Sequence, residues 1–396
     1  MSPRVLLFTG KGGVGKTTAS AATAALAASR GRKTLVLSTD PAHSLADAFG
    51  VPLGAEPTEI DTGLYGMQVD AQGAFERSWR EVQSYLLVVL ERAGVDALQA
   101  EELTVLPGAE EVLALLEVRK QAASGLWDLV VVDCAPTGET LRLLALPEAL
   151  NWYVEKVFPA QRRALRAMRP LLSRVAGPTV PADGVFDAVE RLHAELTDVR
   201  AVLTSPSTSV RLVLTPEAVV VAEARRTLTS LALYGYAVDG LVANRVFPAS
   251  DDPWTAGWVE AQAEQLAAVR RDVAPLPVQL SPYRASEPVG LEALTELGEE
   301  LYGGEDPGAD AADAEDLIGL ERSTDGFVLS IALPLARRDE VDLARAGDEL
   351  VVTVAGHRRV LALPSALRRC VVGGATLVEG RLRVRFEPDP DVWMQR

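Results

Sequence analysis

Residues 10 to 17 read Gly10-Lys11-Gly12-Gly13-Val14-Gly15-Lys16-Thr17, which satisfies the pattern G-x-x-x-x-G-K-[ST]. The chemistry of that spacing is phosphate binding. Its glycines let the backbone curl until the N–H groups of Gly12, Gly13, Val14 and Gly15 converge on a β-phosphate, and a helix opening at Lys16 aims its positive end at the same oxygens. Lys16 then bridges the β- and γ-phosphates, Thr17 gives its hydroxyl to Mg2+, and Thr18 contacts the α-phosphate. ATP with Mg2+ is the expected ligand pair, and ATP hydrolysis the expected reaction. Two carboxylates stand where such a site needs them. Asp40 closely follows the run Thr34-Leu35-Val36-Leu37, and Asp133 follows Leu129-Val130-Val131-Val132. Both therefore lie at the carboxyl ends of apolar strands, where open α/β sheets bind ligands.

A phosphate loop works only between a buried strand and a helix, and the chain supplies both. Val5-Leu6-Leu7-Phe8 precedes the loop and the alanine-rich stretch Thr18 to Ser29 follows it. Similar apolar runs recur at Val210 to Leu214 and Leu241 to Ala243, alternating with helical stretches such as Ala109 to Ala123 and Glu217 to Leu233. This predicts an α/β P-loop NTPase with a mostly parallel sheet flanked by helices over residues 1–302, including a helical subdomain at about 71–125 and 146–205. Residues 303–316 carry six carboxylates, no basic residue and no large apolar side chain, and read as an acidic linker.

Beyond the linker the pattern changes to strict alternation. Phe327, Leu329, Ile331 and Leu333 share one face, as do Leu350, Val352 and Val354, and Leu382, Val384 and Phe386 interleave with Arg381, Arg383 and Arg385. Residues 317–390 are expected to form a small all-β sandwich. The phrases Leu363-Pro-Ser-Ala-Leu367 and Ala375 to Val384 resemble the α-crystallin domain of small heat-shock proteins, whose closing strands carry a similar A-x-L-x-x-G-x-L-x-V pattern.

A length of 396 residues predicts two or three domains at roughly 150 residues each. The formal charge of −16 opposes non-specific binding to nucleic acid or anionic lipid, so no nucleic-acid partner is expected. No apolar run approaches the roughly 18 residues of a membrane span, and a cytoplasmic, non-spanning protein is expected. The two cysteines, Cys134 and Cys370, can build neither a disulfide framework nor a four-thiolate zinc site within one chain. His43, beside Asp40, has no second ligand at metal spacing among the three histidines and reads as a packing residue.

Lys11, a basic residue at the second position of the loop, resembles the "deviant" phosphate loop of dimeric ATPases, in which this lysine reaches the nucleotide of the partner subunit. With the phrases Ser38 to Phe49 and Asp133 to Leu144 the likeness narrows, and the chain resembles the ArsA family over nearly all of residues 1 to 300. That family contains the bacterial arsenite-pump ATPase and the eukaryotic targeting factor for tail-anchored membrane proteins. The resemblance implies a homodimer in which Lys11 acts in trans, Asp40 polarises the attacking water, and Asp133 holds Mg2+ together with Thr17. It also implies that Asn244, in Ala243 to Pro248, reads the adenine, while Ser281, Pro282 and Tyr283 close over the base. Thr215-Pro216-Glu217 matches another family segment near the nucleotide.

The chain also departs from the family pattern. Glu139 stands where the second switch usually has histidine, and neither the zinc-binding C-x-x-C pair nor the metalloid-binding cysteines are present, so arsenite pumping is not expected. A single phosphate loop requires two copies for a complete engine. The resemblance places an apolar or membrane-protein client between Leu146 and Leu203. There Trp152, Tyr153, Val157, Phe158, Leu165, Met168, Leu171 and Leu172 read either as a helix-binding groove or as ordinary core. The leading reading is an ATP-gated switch of the ArsA type that binds or releases such a client. A tail-anchored protein targeting factor and a nucleotide-regulated chaperone acting through the β-domain are the alternatives. A ParA- or MinD-type positioning ATPase is disfavoured by the switch phrases, and an iron–sulfur reductase lacks the thiolates it would need.

Overall fold

The computed structural model describes residues 3–40, 44–69, 109–135, 194–309 and 317–393. In chain order the first elements are β1 (Arg4–Thr9), α1 (Lys16–Ser29), β2 (Thr34–Ser38), α2 (Ser44–Phe49), β3 (Thr58–Asp61) and β4 (Leu64–Gln68). Next come α3 (Ala109–Ala123), β5 (Leu129–Asp133), α4 (194–203), β6 (Thr208–Leu214), α5 (Ala218–Tyr234) and β7 (Val238–Val246). They are followed by α6 (Pro253–Val273), β8 (Val278–Pro282) and α7 (Leu291–Tyr302). The carboxyl-terminal strands are β9 (Ile318–Ser323), β10 (Gly326–Ala332), β11 (Val341–Ala346), β12 (Glu349–Val354), β13 (His357–Ala362), β14 (Cys370–Val378) and β15 (Arg381–Pro388).

The chain divides into two compact units. The first comprises residues 1–68, 126–141 and 204–396, and the second residues 69–125 and 142–203. An eight-stranded sheet of order β3-β4-β2-β5-β1-β6-β7-β8 forms the centre of the first, parallel throughout except where β3 runs against β4. Strands β1, β2, β5 and β6 are buried along their whole length, which explains their unbroken apolar runs. Helix α1 buries Ala21, Ala22, Ala24, Ala25 and Ala27, and these small residues let α7 lie directly on it. At Gly298 a β-carbon would come within 2.7 Å of the Ala22 carbonyl oxygen, so that contact tolerates no side chain.

Strands β1, β6 and β7 are tied together by buried charge. Asp239 accepts from Arg4 Nη2 at 2.9 Å and from Arg211 Nη2 and Nε at 3.1 and 3.2 Å. The same arginines reach the acidic stretch, with Arg4 Nε donating to the Ala309 carbonyl at 3.1 Å and Arg211 Nη1 to the Pro307 carbonyl at 2.8 Å. Arg32 pairs with Asp306. Residues 303–309 are therefore strapped to the sheet, and 310–316 lie outside the described residues.

The carboxyl-terminal strands form two facing antiparallel sheets, β14-β15-β10-β9 and β11-β12-β13. Leu329, Ile331, Leu350, Val352, Val384 and Phe386 fill the space between them, as their alternation requires. One member of this core comes from outside the sandwich: Leu233, near the carboxyl end of α5, is fully buried within it. Around that insertion, Thr229 Oγ1 donates to the Pro334 carbonyl at 2.5 Å, and the buried Arg359 guanidinium donates to the Leu233 carbonyl. That places a cation at the carboxyl end of a helix, where orphan carbonyls and the dipole favour one. Leu233→Ala should lower the stability of the full chain by about 2.5 kcal/mol, read from the denaturant midpoint. An unchanged midpoint would mean that the sandwich is not seated on α5.

In the second unit the described residues are helical. Arg119 of α3 pairs with Asp198 of α4 at 2.6 Å, while Leu115 and Val118, and Leu196, Val199 and Leu203, are buried. The expected client residues Trp152 to Leu172 lie outside the described residues. Among the described residues no helix is long and apolar enough to cross a membrane.

Candidate active site

The loop leaves β1 and turns into α1 as its residue types require. Gly15 adopts a left-handed conformation with φ of 95°, and a β-carbon there would fall 2.1 Å from the Asn244 amide nitrogen. Gly12 and Gly13, by contrast, face open space, with nothing within 4 Å of where a side chain would begin. That open cradle is the size argument for a phosphate. Lys16 is buried and its ammonium donates to the Lys11 carbonyl at 3.4 Å. Thr18 follows in the first turn of α1.

Across the loop the two apolar strands deliver their carboxylates. Asp133, at the end of β5, is fully buried, and its Oδ2 accepts from Thr17 Oγ1 at 2.8 Å and from Ser38 Oγ at 3.3 Å. Ser44, at the start of α2, bonds the same threonine hydroxyl at 3.1 Å. The other carboxylate oxygen, Oδ1, is buried with no hydrogen-bond partner. Burial pushes the Asp133 carboxyl up to about 7, against the pull of Thr17 and Lys16. A buried carboxylate with one unpartnered oxygen, beside the Thr17 hydroxyl and an open phosphate cradle, suits a hard divalent cation. Among the described residues no three His, Cys, Asp or Glu side chains converge on one point, so such a cation would draw its remaining ligands from phosphate and water.

Asp40 lies just past β2, its backbone N–H donating to Ser38 Oγ at 3.2 Å and its carbonyl accepting from Gln68 Nε2 at 2.6 Å. Both ends of its peptide unit are thus pinned beside Asp133. His43 and the second-switch residues from Pro136 onward, Glu139 among them, lie outside the described residues.

At the other flank of the loop, Asn244 Nδ2 donates to the Val14 carbonyl at 2.9 Å and its Oδ1 accepts from the Arg245 N–H at 2.9 Å. The side chain braces the phosphate loop from behind. Beyond it, Tyr283 stacks on Phe247 with centroids 4.9 Å apart and planes 9° apart, Trp258 stands 6.0 Å from Phe247, and Trp254 lies 6.1 Å from Trp258. Tyr283 and Trp254 remain 51% and 69% exposed, so this aromatic group is open to a planar ligand or a partner. Pro282 is exposed at the end of β8 beside it. Thr215 is buried, and Glu217 is exposed at the start of α5.

A family model described as "Anion-transporting ATPase" matches residues 3–303. The chain belongs to the ArsA family of ATPases. A second model, "HSP20-like domain found in ArsA", matches residues 324–386, where the sandwich lies. The chain is 36% identical over 389 residues to the "Putative arsenical pump-driving ATPase" of Chlorobaculum tepidum, covering 97% of this chain and 96% of that one. It is 40% identical over 393 residues to an uncharacterized protein of Streptomyces coelicolor, covering 98% and 99%. With the first of two proteins of Aquifex aeolicus named like that of Chlorobaculum, it shares 34% over 378 residues, 92% and 95% of the two chains. This member of the ArsA family therefore binds and hydrolyses ATP.

Several residues of the ArsA-type site were not singled out in the sequence. Ser38, Ser44 and Gln68 are isolated polar residues with no spacing that marks them. Phe247 and Trp258 come together only when the end of β7, the start of α6 and the end of β8 meet. Cys134 lies just after Asp133, and burial together with that carboxylate pushes its thiol far above the usual range, which leaves it unreactive.

Proposed function

We propose that the protein works as an ATP-gated homodimer that couples nucleotide binding and hydrolysis to the capture and release of an apolar client. The observation that carries this reading is the division of labour between the two loop lysines. Lys16 turns inward onto its own loop, whereas the Lys11 side chain is 41% exposed on the outer side and makes no contact with its own phosphate cradle. That exposure supports a role for Lys11 at the nucleotide of another copy.

In the proposed reaction Lys16 and the loop N–H groups hold the β- and γ-phosphates, and Thr17 and Asp133 hold Mg2+. The cation, when bound, neutralises charge on the β- and γ-oxygens. Asp40 orients water in line with the γ-phosphorus and accepts its proton as the bond to the β,γ-bridging oxygen breaks, giving ADP and phosphate. Lys11 of the partner subunit stabilises the charge that develops. Asn244, which braces the loop through Val14, would have to exchange that bond to read the adenine, with Pro282 and Tyr283 bounding the adenine site. The relatives' names point to an arsenical pump, but both cysteines of this chain are buried, which supports a client other than a metalloid. A tail-anchored membrane helix is the alternative client class that the family resemblance offers.

Asp40→Asn keeps the shape of the side chain and removes its basicity. Phosphate release should fall by about 10²- to 10⁴-fold, with fluorescent-nucleotide affinity essentially unchanged. Wild-type turnover by this variant would remove Asp40 from the reaction.

A further inference from the structure

The Lys11 ammonium does not point into solvent at random. It lies 3.9 Å from the Glu223 carboxylate of α5, with the side chains 41% and 31% exposed. Below the pair is a shallow cleft lined by Gly10, Val213, Val220, Ala224 and Thr227, so the lysine stem rests on a mostly apolar floor while its charge meets the acid. Helix α5 cannot follow the loop. Arg225, two residues on, pairs with Asp272 of α6, and the carboxyl end of the helix is held by the sandwich through Thr229, Leu233 and Arg359. Glu223 is a fixed post and Lys11 a long, flexible arm.

We infer that Glu223 is a positioning residue that parks Lys11 on its own protomer and thereby opposes assembly of the two-copy active site. The inference rests on the reading that Lys11 serves the partner's nucleotide. Crossing over requires Lys11 to leave Glu223, and a symmetric dimer opens two such pairs. A half-exposed ion pair changes an equilibrium by about two- to five-fold, so two of them hold back dimer assembly by about 4- to 25-fold. The post biases the equilibrium toward separate copies until ATP supplies a stronger destination for Lys11, and its strength falls with salt.

Glu223→Gln removes the charge and keeps the shape. Specific ATPase activity of the full chain, measured against protein concentration, should reach half-maximum at about 4- to 25-fold lower concentration in this variant, with the plateau kcat unchanged. Glu223→Asp should stay close to wild type, and the gap between wild type and Glu223→Gln should narrow in 0.5 M salt, where the Debye length falls to about 4 Å from about 10 Å at 0.1 M. Sedimentation equilibrium with ATP on the Asp40→Asn background should give the same shift. In a Lys11→Ala background Glu223→Gln should change nothing, because the arm is gone. An unshifted half-maximum, or a shift that persists without Lys11, would overturn the parking role alone. Activity independent of protein concentration, with full turnover by Lys11→Ala, would overturn the trans reading as well as the parking role.

Discussion

Replacing Lys11 with alanine should slow ATP turnover by about 10³- to 10⁵-fold while ATP still binds. Binding survives because the cradle of Gly12, Gly13 and Gly15, the buried Lys16 and the Thr17–Asp133 pair are all supplied by one chain. Rate is lost because the missing ammonium acts only on charge that appears as the phosphoryl group leaves. The same substitution distinguishes cis from trans action. In an equimolar mixture of Lys11→Ala and Asp40→Asn chains, each hetero-pair has one complete site: the Lys11→Ala chain keeps its own Asp40 and receives Lys11 from its partner. Random pairing makes half the dimers mixed, so the mixture should recover about one quarter of wild-type activity. If Lys11 acted on its own nucleotide, neither chain could complete a site and the mixture would stay as inactive as its components.

What the sequence disclosed, and what it did not, follows from how local each signal is. The phosphate loop was legible because its glycines and Lys16-Thr17 must sit at fixed spacing between a strand and a helix. The pairing of Thr17 with Asp133, 116 residues later, was legible only as far as the phosphate loop and Asp133 each follow a buried strand. The contributions of Ser38, Ser44 and Gln68 required the register that sets β2 beside β4 and β5. In the sandwich, β10, β12 and β15 announced themselves by alternation, whereas β9 is mostly exposed and carries no clean period. The acidic stretch shows the limit of a compositional argument. Residues 303–309 bury little apolar surface of their own, so composition alone assigns them to a linker. Their carbonyls instead satisfy Arg4 and Arg211, and the visible clue was a basic residue inside each of two apolar strands.

That buried cluster sets the second large expectation: Asp239→Asn should destabilise the protein by about 3–5 kcal/mol. The Asp239 side chain is 5% exposed and faces Arg4 and Arg211, themselves 3% and 8% exposed, so one buried carboxylate serves two buried guanidinium groups. An amide of the same shape can still accept a hydrogen bond, but it takes from two cations in a medium of low dielectric the carboxylate they share, beside neutral acceptors such as the Pro307 and Ala309 carbonyls, Ser209 Oγ at 2.6 Å and Tyr302 Oη at 3.1 Å. Removing one partner of a buried pair costs far more than the intact pair contributes. The cluster joins β1, β6 and β7 to the strap, so the loss should appear in denaturant unfolding of the full chain and in earlier proteolysis near residue 309. Turnover per folded molecule should hold steady. Although Arg211 stands level with Phe8, two residues before Gly10, Asp239 directs its carboxylate at Arg4 and Arg211 and not at the phosphate loop. A variant that kept its stability would show that the two arginines are satisfied by carbonyls alone; one that lost turnover at full stability would mean the strap reaches the active site.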